Sequence, residues 1–290
     1  MSASDSRIGF IGAGNMAEAM AGAMISSGNV QSRQLTLCDL RQDRLTYLET
    51  QYNVHTSASA AETFDGATTV VLAVKPQGMG ALLEELRDKG LTRVTERKQI
   101  ITIAAGLPLS FYEEILYDGI PGASTGLLPI LRVMPNTPSL VLAGMSGLCG
   151  NRHASPEDMD MAETILSAMG DVLRVTEDQM DGVTAVSGSG PAYFFYVVEA
   201  MINTAKEMGF EGEDAKRLAL GTINGAAKLL LASDDEPEDL RRKVTSPGGT
   251  TEAAINEMKA RGVEGGIREG MLAAARRSRE MKEEIGKAGK

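Results

Sequence analysis

The chain has 290 residues, 43% of them hydrophobic, which allows a substantial core and fits one large domain or two ordinary ones. Its formal charge of -10 argues against nucleic acid or an anionic membrane as partner, because nonspecific attraction to phosphate needs a basic surface, so any anionic ligand must be held by local groups. Two cysteines without metal-ligand spacing, Cys38 and Cys149, leave no disulfide framework or metal site, and no apolar run approaches the roughly 18 residues of a membrane span.

Met1 to Arg7 is short and polar, and the protein is expected to be soluble and cytoplasmic. The run from Ile8 to Ile11 then predicts a buried strand, and Met16, Ala19, Met20, Ala23 and Met24 recur at helical spacing between Asn15 and Ser27. Gly9, Ile11, Gly12, Ala13, Gly14, Asn15 and Met16 therefore form a strand-to-helix turn able to hold a dinucleotide. Gly12 permits the tight turn, Gly14 lets the backbone approach a pyrophosphate, and Ala17 stands where the third glycine of such a turn would pack the helix on the strand. The strand before and the helix after set it apart from a Gly-rich turn of another α/β protein.

Further β-rich runs follow at Leu35–Asp39, Thr69–Val74, Gln99–Ile103, Arg132–Met134, Gly147–Cys149 and Val172–Val175, alternating with helical segments. Such alternation predicts a doubly wound, mostly parallel Rossmann-like sheet. From Glu177 onward the pattern is helical, with Ala192–Met208, Asp214–Ala232, Thr251–Ala260 and Val263–Glu284. The expected organisation is an α/β nucleotide domain over 1–176 and an all-α substrate-binding and dimerisation domain over 177–290, with the sixteen methionines as core filler.

Asp39 stands at the end of the second strand, where an acid accepts hydrogen bonds from the adenosine ribose and repels a 2′-phosphate, which points to NAD. Arg41 and Arg44 follow at once and could pair with a phosphate or lie on an exposed helix face, so NADP stays open. Ala73, Val74, Lys75 and Pro76, then Ala104, Ala105 and Gly106, fall at the carboxyl ends of strands, where open α/β sheets bind ligands. Lys75 could touch a phosphate, the ribose or solvent. The prolines around Asn136 and Thr137 hold a loop that either faces the nicotinamide or is a structural turn.

In the second half, Ser187-Gly188-Ser189-Gly190-Pro191-Ala192-Tyr193 opens a long helix, and Ser246-Pro247-Gly248-Gly249-Thr250-Thr251 opens another. Small residues before a helix leave backbone N–H groups free for an anion, so the pair suggests a site for a small acid. His55 and His153 sit in polar surroundings and make poor general acids. Reduction of an iminium carbon needs no strong acid, because that carbon already carries positive charge; the Thr184 hydroxyl could hydrogen-bond the ring nitrogen and relay a proton, leaving positioning as the main catalytic task.

These segments together, with Ala73-Val74-Lys75-Pro76-Gln77 and Met134-Pro135-Asn136-Thr137-Pro138, resemble the pyrroline-5-carboxylate reductases over nearly the whole chain and in the same order. The resemblance implies NADPH- or NADH-dependent reduction of L-1-pyrroline-5-carboxylate, an imino acid, to L-proline, the last step of proline biosynthesis. By the same likeness Thr184 contacts the ring nitrogen, Ser187 lines the substrate site, and Ser246, Gly248, Gly249, Thr250 and Thr251 hold the carboxylate. Asp234 falls near a position that can contact the ligand. The likeness further implies a homodimer through the helical domain, assembled into a decamer. Family members that favour NADPH tend to have a small hydroxyl residue where this chain has Asp39, so cofactor preference stays open. Two other readings are a β-hydroxyacid dehydrogenase, which would show lysine then asparagine four residues on where this chain has Asn203 and Lys206, and a non-catalytic nucleotide sensor, which would need no acid-binding turns.

Overall fold

The structure, a computed structural model, describes residues 6–288; Met1 to Asp5 of the polar N-terminus and the last two residues lie outside the described part. In chain order the elements are β1 (Ile8–Ile11), α1 (Asn15–Ser26), β2 (Leu35–Cys38), α2 (Gln42–Tyr52), β3 (His55–Ser57), α3 (Ala60–Gly66), β4 (Thr69–Leu72), α4 (Pro76–Asp88), β5 (Gln99–Thr102), α5 (Leu109–Leu116) and β6 (Ile130–Met134). There follow β7 (Gly144–Gly150), α6 (Pro156–Ser167), β8 (Gly170–Arg174), α7 (Met180–Val183), α8 (Gly190–Glu207), α9 (Gly212–Ala232), α10 (Pro237–Lys243), α11 (Thr250–Ala260) and α12 (Val263–Ala288).

The strands form one sheet in the order β3-β2-β1-β4-β5-β6-β7-β8. All neighbours are parallel except β6 and β7. The chain runs from β1 to β2 and β3 on one side, then returns to place β4 on the other. The carboxyl ends of β1 and β4 thus meet at the reversal, the place where open sheets bind ligands. β1, β4 and β5 are buried along their whole length because helices cover both faces. Consecutive residues feed opposite cores: Val71, Ile101 and Leu131 pack with α1, while Val70, Ile100 and Ile130 pack with α4 and α5.

Two compact units result. One takes in residues up to 188 together with those from 274 onward, and the other is 189–273. By packing, α7 stays with the first unit, its Met180 and Val183 lying in the core shared with α4 and α5. β3 and α10 were among the elements not anticipated. β3 is a short, polar edge strand, so it lacks the apolar run that betrays a buried one, and the exposed His55 sits on it. α10 is a short helix rich in charge, with acids in its first turn and bases in its last. No helix among the described residues is long and apolar enough to cross a membrane.

Candidate nucleotide and substrate site

Gly12 follows β1 with φ +95°, a conformation that favours glycine, and a Cβ there would lie 2.8 Å from the Ala73 carbonyl carbon and the Val74 nitrogen. Only a glycine lets the two strand ends approach so closely. Its N–H donates to Cys38 O at 2.9 Å, which ties the turn to β2 as well. Gly14 caps α1, and the space where its side chain would stand is open. An anion can approach the first-turn N–H groups of Asn15, Met16 and Ala17 from that side. Behind the turn, Gly9 abuts Thr63 of α3, and Ile11, Ala13 and Ala17 are buried. Along the same edge lie Ala73 and Val74, the exposed Lys75 with Pro76 in the first turn of α4, and Ala104, Ala105 and Gly106 after β5. The residues present fit a dinucleotide.

Asp39 follows β2, its side chain 14% exposed. Its Oδ1 accepts from the Arg41 backbone N–H at 3.0 Å and from Arg41 Nε at 3.2 Å. Burial pushes the Asp39 carboxyl up, but these hydrogen bonds and the charges of Arg41 and Arg44 outweigh it and hold the group below the usual carboxylate range. Arg44 takes neither role expected of it. Its Nε donates to Ala13 O at 2.8 Å, and its NH2 pairs with Glu18 Oε2 at 2.5 Å, so it braces the Gly-rich turn from behind. The other Glu18 oxygen accepts from Tyr47 and Tyr52, at 3.1 and 2.9 Å. That leaves the largely exposed Arg41 as the arginine able to turn toward a phosphate.

Thr184 begins a π-helical turn, Thr184–Gly188, that continues α7. Such wide turns are rare and often mark functional sites. The half-buried Thr184 hydroxyl donates to Met180 O at 2.9 Å. With its proton on a backbone carbonyl, the oxygen of this hydroxyl is the atom left to accept. Asn136 and Ser187, expected beside the cofactor and the substrate, bond to each other. Asn136 Nδ2 donates to Ser187 Oγ and O at 3.1 and 3.3 Å, while its Oδ1 accepts from Met145 N at 2.9 Å. Ser187 Oγ donates in turn to Met145 O at 3.1 Å. Both side chains are committed to this ring of bonds, which fastens the π turn to the ends of β6 and β7. The partly exposed His153 stands with its ring edge-on to Tyr117 and its Nε2 buried.

In the 189–273 unit, Gly249 caps α11, and Gly248 has φ +73°. The first-turn N–H groups of Thr250 and Thr251 have no carbonyl one turn back and remain available to an anion. Gly248 N–H donates to Glu252 Oε2 at 2.7 Å, and Gly249 N–H to Ser246 O at 2.9 Å. Glu252 was not singled out from sequence, although an acid three residues after a helix cap is a recognisable capping spacing. Ser246 is exposed, and so is Asp234 in the loop between α9 and α10.

The family model for pyrroline-5-carboxylate reductase dimerisation matches residues 177–281, and that for NADP oxidoreductase, coenzyme F420-dependent, matches 7–106. A pyrroline-5-carboxylate reductase of Pseudomonas aeruginosa is 41% identical, the match covering 97% of this chain and 98% of the relative. This chain belongs to the pyrroline-5-carboxylate reductase family. The reductase of Methanosarcina acetivorans is 37% identical, over 95% of this chain and 97% of its own. Among solved structures, the Coxiella burnetii pyrroline-5-carboxylate reductase superposes with a TM-score of 0.86 at 35% identity, covering 95% of this chain and 98% of that one. The Plasmodium falciparum pyrroline carboxylate reductase, solved with NADP bound, gives 0.82 at 26% identity, over 96% and 98%. In this reductase the Rossmann-like sheet and the dimerisation helices are those of the family.

Proposed function

We propose that this chain reduces L-1-pyrroline-5-carboxylate to L-proline with NADPH or NADH, the last step of proline biosynthesis. The observation that carries the reading is the nearly end-to-end match to reductases of that activity, at 41% identity for the Pseudomonas aeruginosa enzyme. A β-hydroxyacid dehydrogenase and a nucleotide sensor are not favoured, since relatives 37–41% identical over nearly the whole chain are named pyrroline-5-carboxylate reductases. The bound dinucleotide would supply the hydride. Gly12, Gly14 and the first turn of α1 would hold its pyrophosphate, Asp39 and Arg41 its adenosine ribose, and the ends of β4 and β5 the nicotinamide side.

Thr184 does the work on the substrate. Because its proton is fixed on Met180 O, its oxygen accepts from the N–H of a protonated ring nitrogen, and so holds the iminium form, whose carbon takes hydride readily. The first turn of α11 would receive the carboxylate at Thr250 and Thr251, with Gly248, Gly249, Ser246 and Asp234 around it. Asn136 and Ser187 brace the turn that carries Thr184. The functional helical part begins at Glu177 in this reading, pairs with a second copy, and assembles further into a decamer in the cytoplasm.

Purified protein is expected to oxidise NADPH or NADH only when pyrroline-5-carboxylate is supplied. Absorbance of the reduced nucleotide checks this, and no turnover with either nucleotide overturns the reading. Thr184→Ala is expected to lower kcat by about 10²-fold with nucleotide affinity retained, and Thr184→Ser to recover most of the rate.

A further inference from the structure

We propose that Asp181, gripped by Ser278 and Lys282 of α12, is a positioning residue that sets Thr184 for the reduction. This rests on the role given to Thr184 above. The hydroxyl of Thr184 is oriented by Met180 O, so whatever fixes α7 fixes the reacting geometry. α7 and the π turn that continues it are together still shorter than a helix that holds itself in water, which takes about 12–15 residues. It must be held from outside.

Two carboxylates hold it. Glu177 Oε1, just before α7, accepts from Leu109 N at 2.6 Å and pairs with the buried Arg132 at 3.4 Å. Asp181, inside α7, accepts from Ser278 Oγ at 2.7 Å and pairs with Lys282 Nζ at 2.8 Å. Between them Met180 is fully buried, and Val183 presses on β7 where Gly147 has no side chain to obstruct it. Ser278 and Lys282 are four residues apart and so share a face of α12. Met281, on the adjoining part of that face, stands 3.5 Å from where a Cβ of Gly106 would be. One helical stretch therefore touches both the turn after β5, on the nucleotide side, and the turn before Thr184.

An ion pair in which Asp181 is 12% and Lys282 19% exposed is a poor source of stability, because desolvation offsets most of the attraction and apolar packing would serve as well. What such a pair supplies is a fixed distance and direction. Catalysis that relies on positioning is sensitive to both, since a misplacement of about 1 Å can cost two orders of magnitude.

The test uses the full-length assembled enzyme with Asp181→Asn, Lys282→Met, Ser278→Ala and Lys282→Arg. It measures kcat with pyrroline-5-carboxylate, the Kd of NADPH and NADH by their fluorescence, and Tm. Asp181→Asn and Lys282→Met are expected to lower kcat by about tenfold with nucleotide Kd unchanged within about twofold, and Lys282→Arg to restore most of the rate. Placed on Thr184→Ala, Asp181→Asn should lower kcat no further, because both act on one group. If Asp181→Asn fails to fold, Ser278→Ala and Lys282→Met carry the same comparison. Normal kcat in the folded variants, losses that multiply in the double variant, or a loss confined to nucleotide affinity overturns the proposal. A slow Thr184→Ala beside a normal Lys282→Met overturns the brace alone, whereas a fully active Thr184→Ala removes the Thr184 reading and the brace with it.

Discussion

A single Cβ at position 12 would stand within 2.8 Å of the backbone at Ala73 and Val74, in a conformation that L side chains rarely adopt. Gly12→Ala is therefore expected to weaken nucleotide binding by at least about tenfold and to lower Tm, as read by titration and melting of the same sample. This residue was legible in the sequence because its neighbours on both sides declared a strand and a helix. The roles of the charged residues nearby were not. Arg41 and Arg44 look alike in the chain, yet one stays largely exposed beside Asp39 and the other is folded back onto Glu18 and Ala13, a distinction made only when α1 and α2 come together. Against burial, Asp39 is held below the usual carboxylate range by Arg41 and Arg44, and so carries its charge at neutral pH. Asp39→Ser should raise the NADPH to NADH ratio of kcat/KM by about tenfold, and Arg41→Ala should lower it. An unchanged ratio in both variants would remove this pair from cofactor choice.

Between residue and domain, α6 shows how a cap doubles as a long-range tie. Ser155 and Asp158 form a reciprocal capping box, and the same Asp158 carboxylate binds Arg97 from the segment before β5. Burial pushes the Asp158 carboxyl up, but the hydrogen bonds from Arg97 and Ser155 hold it below the ordinary range. A carboxyl lowered by folding contributes stability that is complete above its unfolded pKa and is lost as pH falls through the folded value. The urea midpoint should therefore fall between about pH 6 and about pH 3 more in the parent than in Asp158→Asn. At neutral pH, Asp158→Ala is expected to cost about 1–3 kcal/mol by urea titration, with the partial exposure of Arg97 limiting the loss. The sequence announced this helix poorly, since its signals are polar. The central strands were announced well, because an unbroken apolar run has few other uses; β3 was missed for the opposite reason, and the reversed direction of β7 is a property of its pairing rather than of its residues.

Across the whole molecule the two units differ in kind. The first is built round two extensive cores on the faces of its sheet. Among the described residues of 189–273, only Gly190, Ala215 and Ala219 are buried, while Phe194, Phe195, Tyr196 and Leu231 are between 61% and 89% exposed. Helices without a core of their own need one from elsewhere, which accords with a family domain defined by dimerisation. Phe195→Glu is expected to shift the assembly toward monomer in light scattering and to lower helicity by circular dichroism. A variant that keeps both its mass and its helicity would show that this face is not the seam. The helical fold class was legible from periodicity, but that its apolar faces point outward was not, because a periodic stripe says which residues must be covered and not by what.

That missing core makes folding of the helical part a matter of mass action, with a melting point that rises with protein concentration. It also has a genetic reading. When two alleles are expressed together, a chain crippled at the Gly-rich turn could still complete its helices around a sound partner and draw it into mixed assemblies. Damage to the nucleotide turn would then be carried into mixed assemblies, whereas damage to the helical seam would be left out of them.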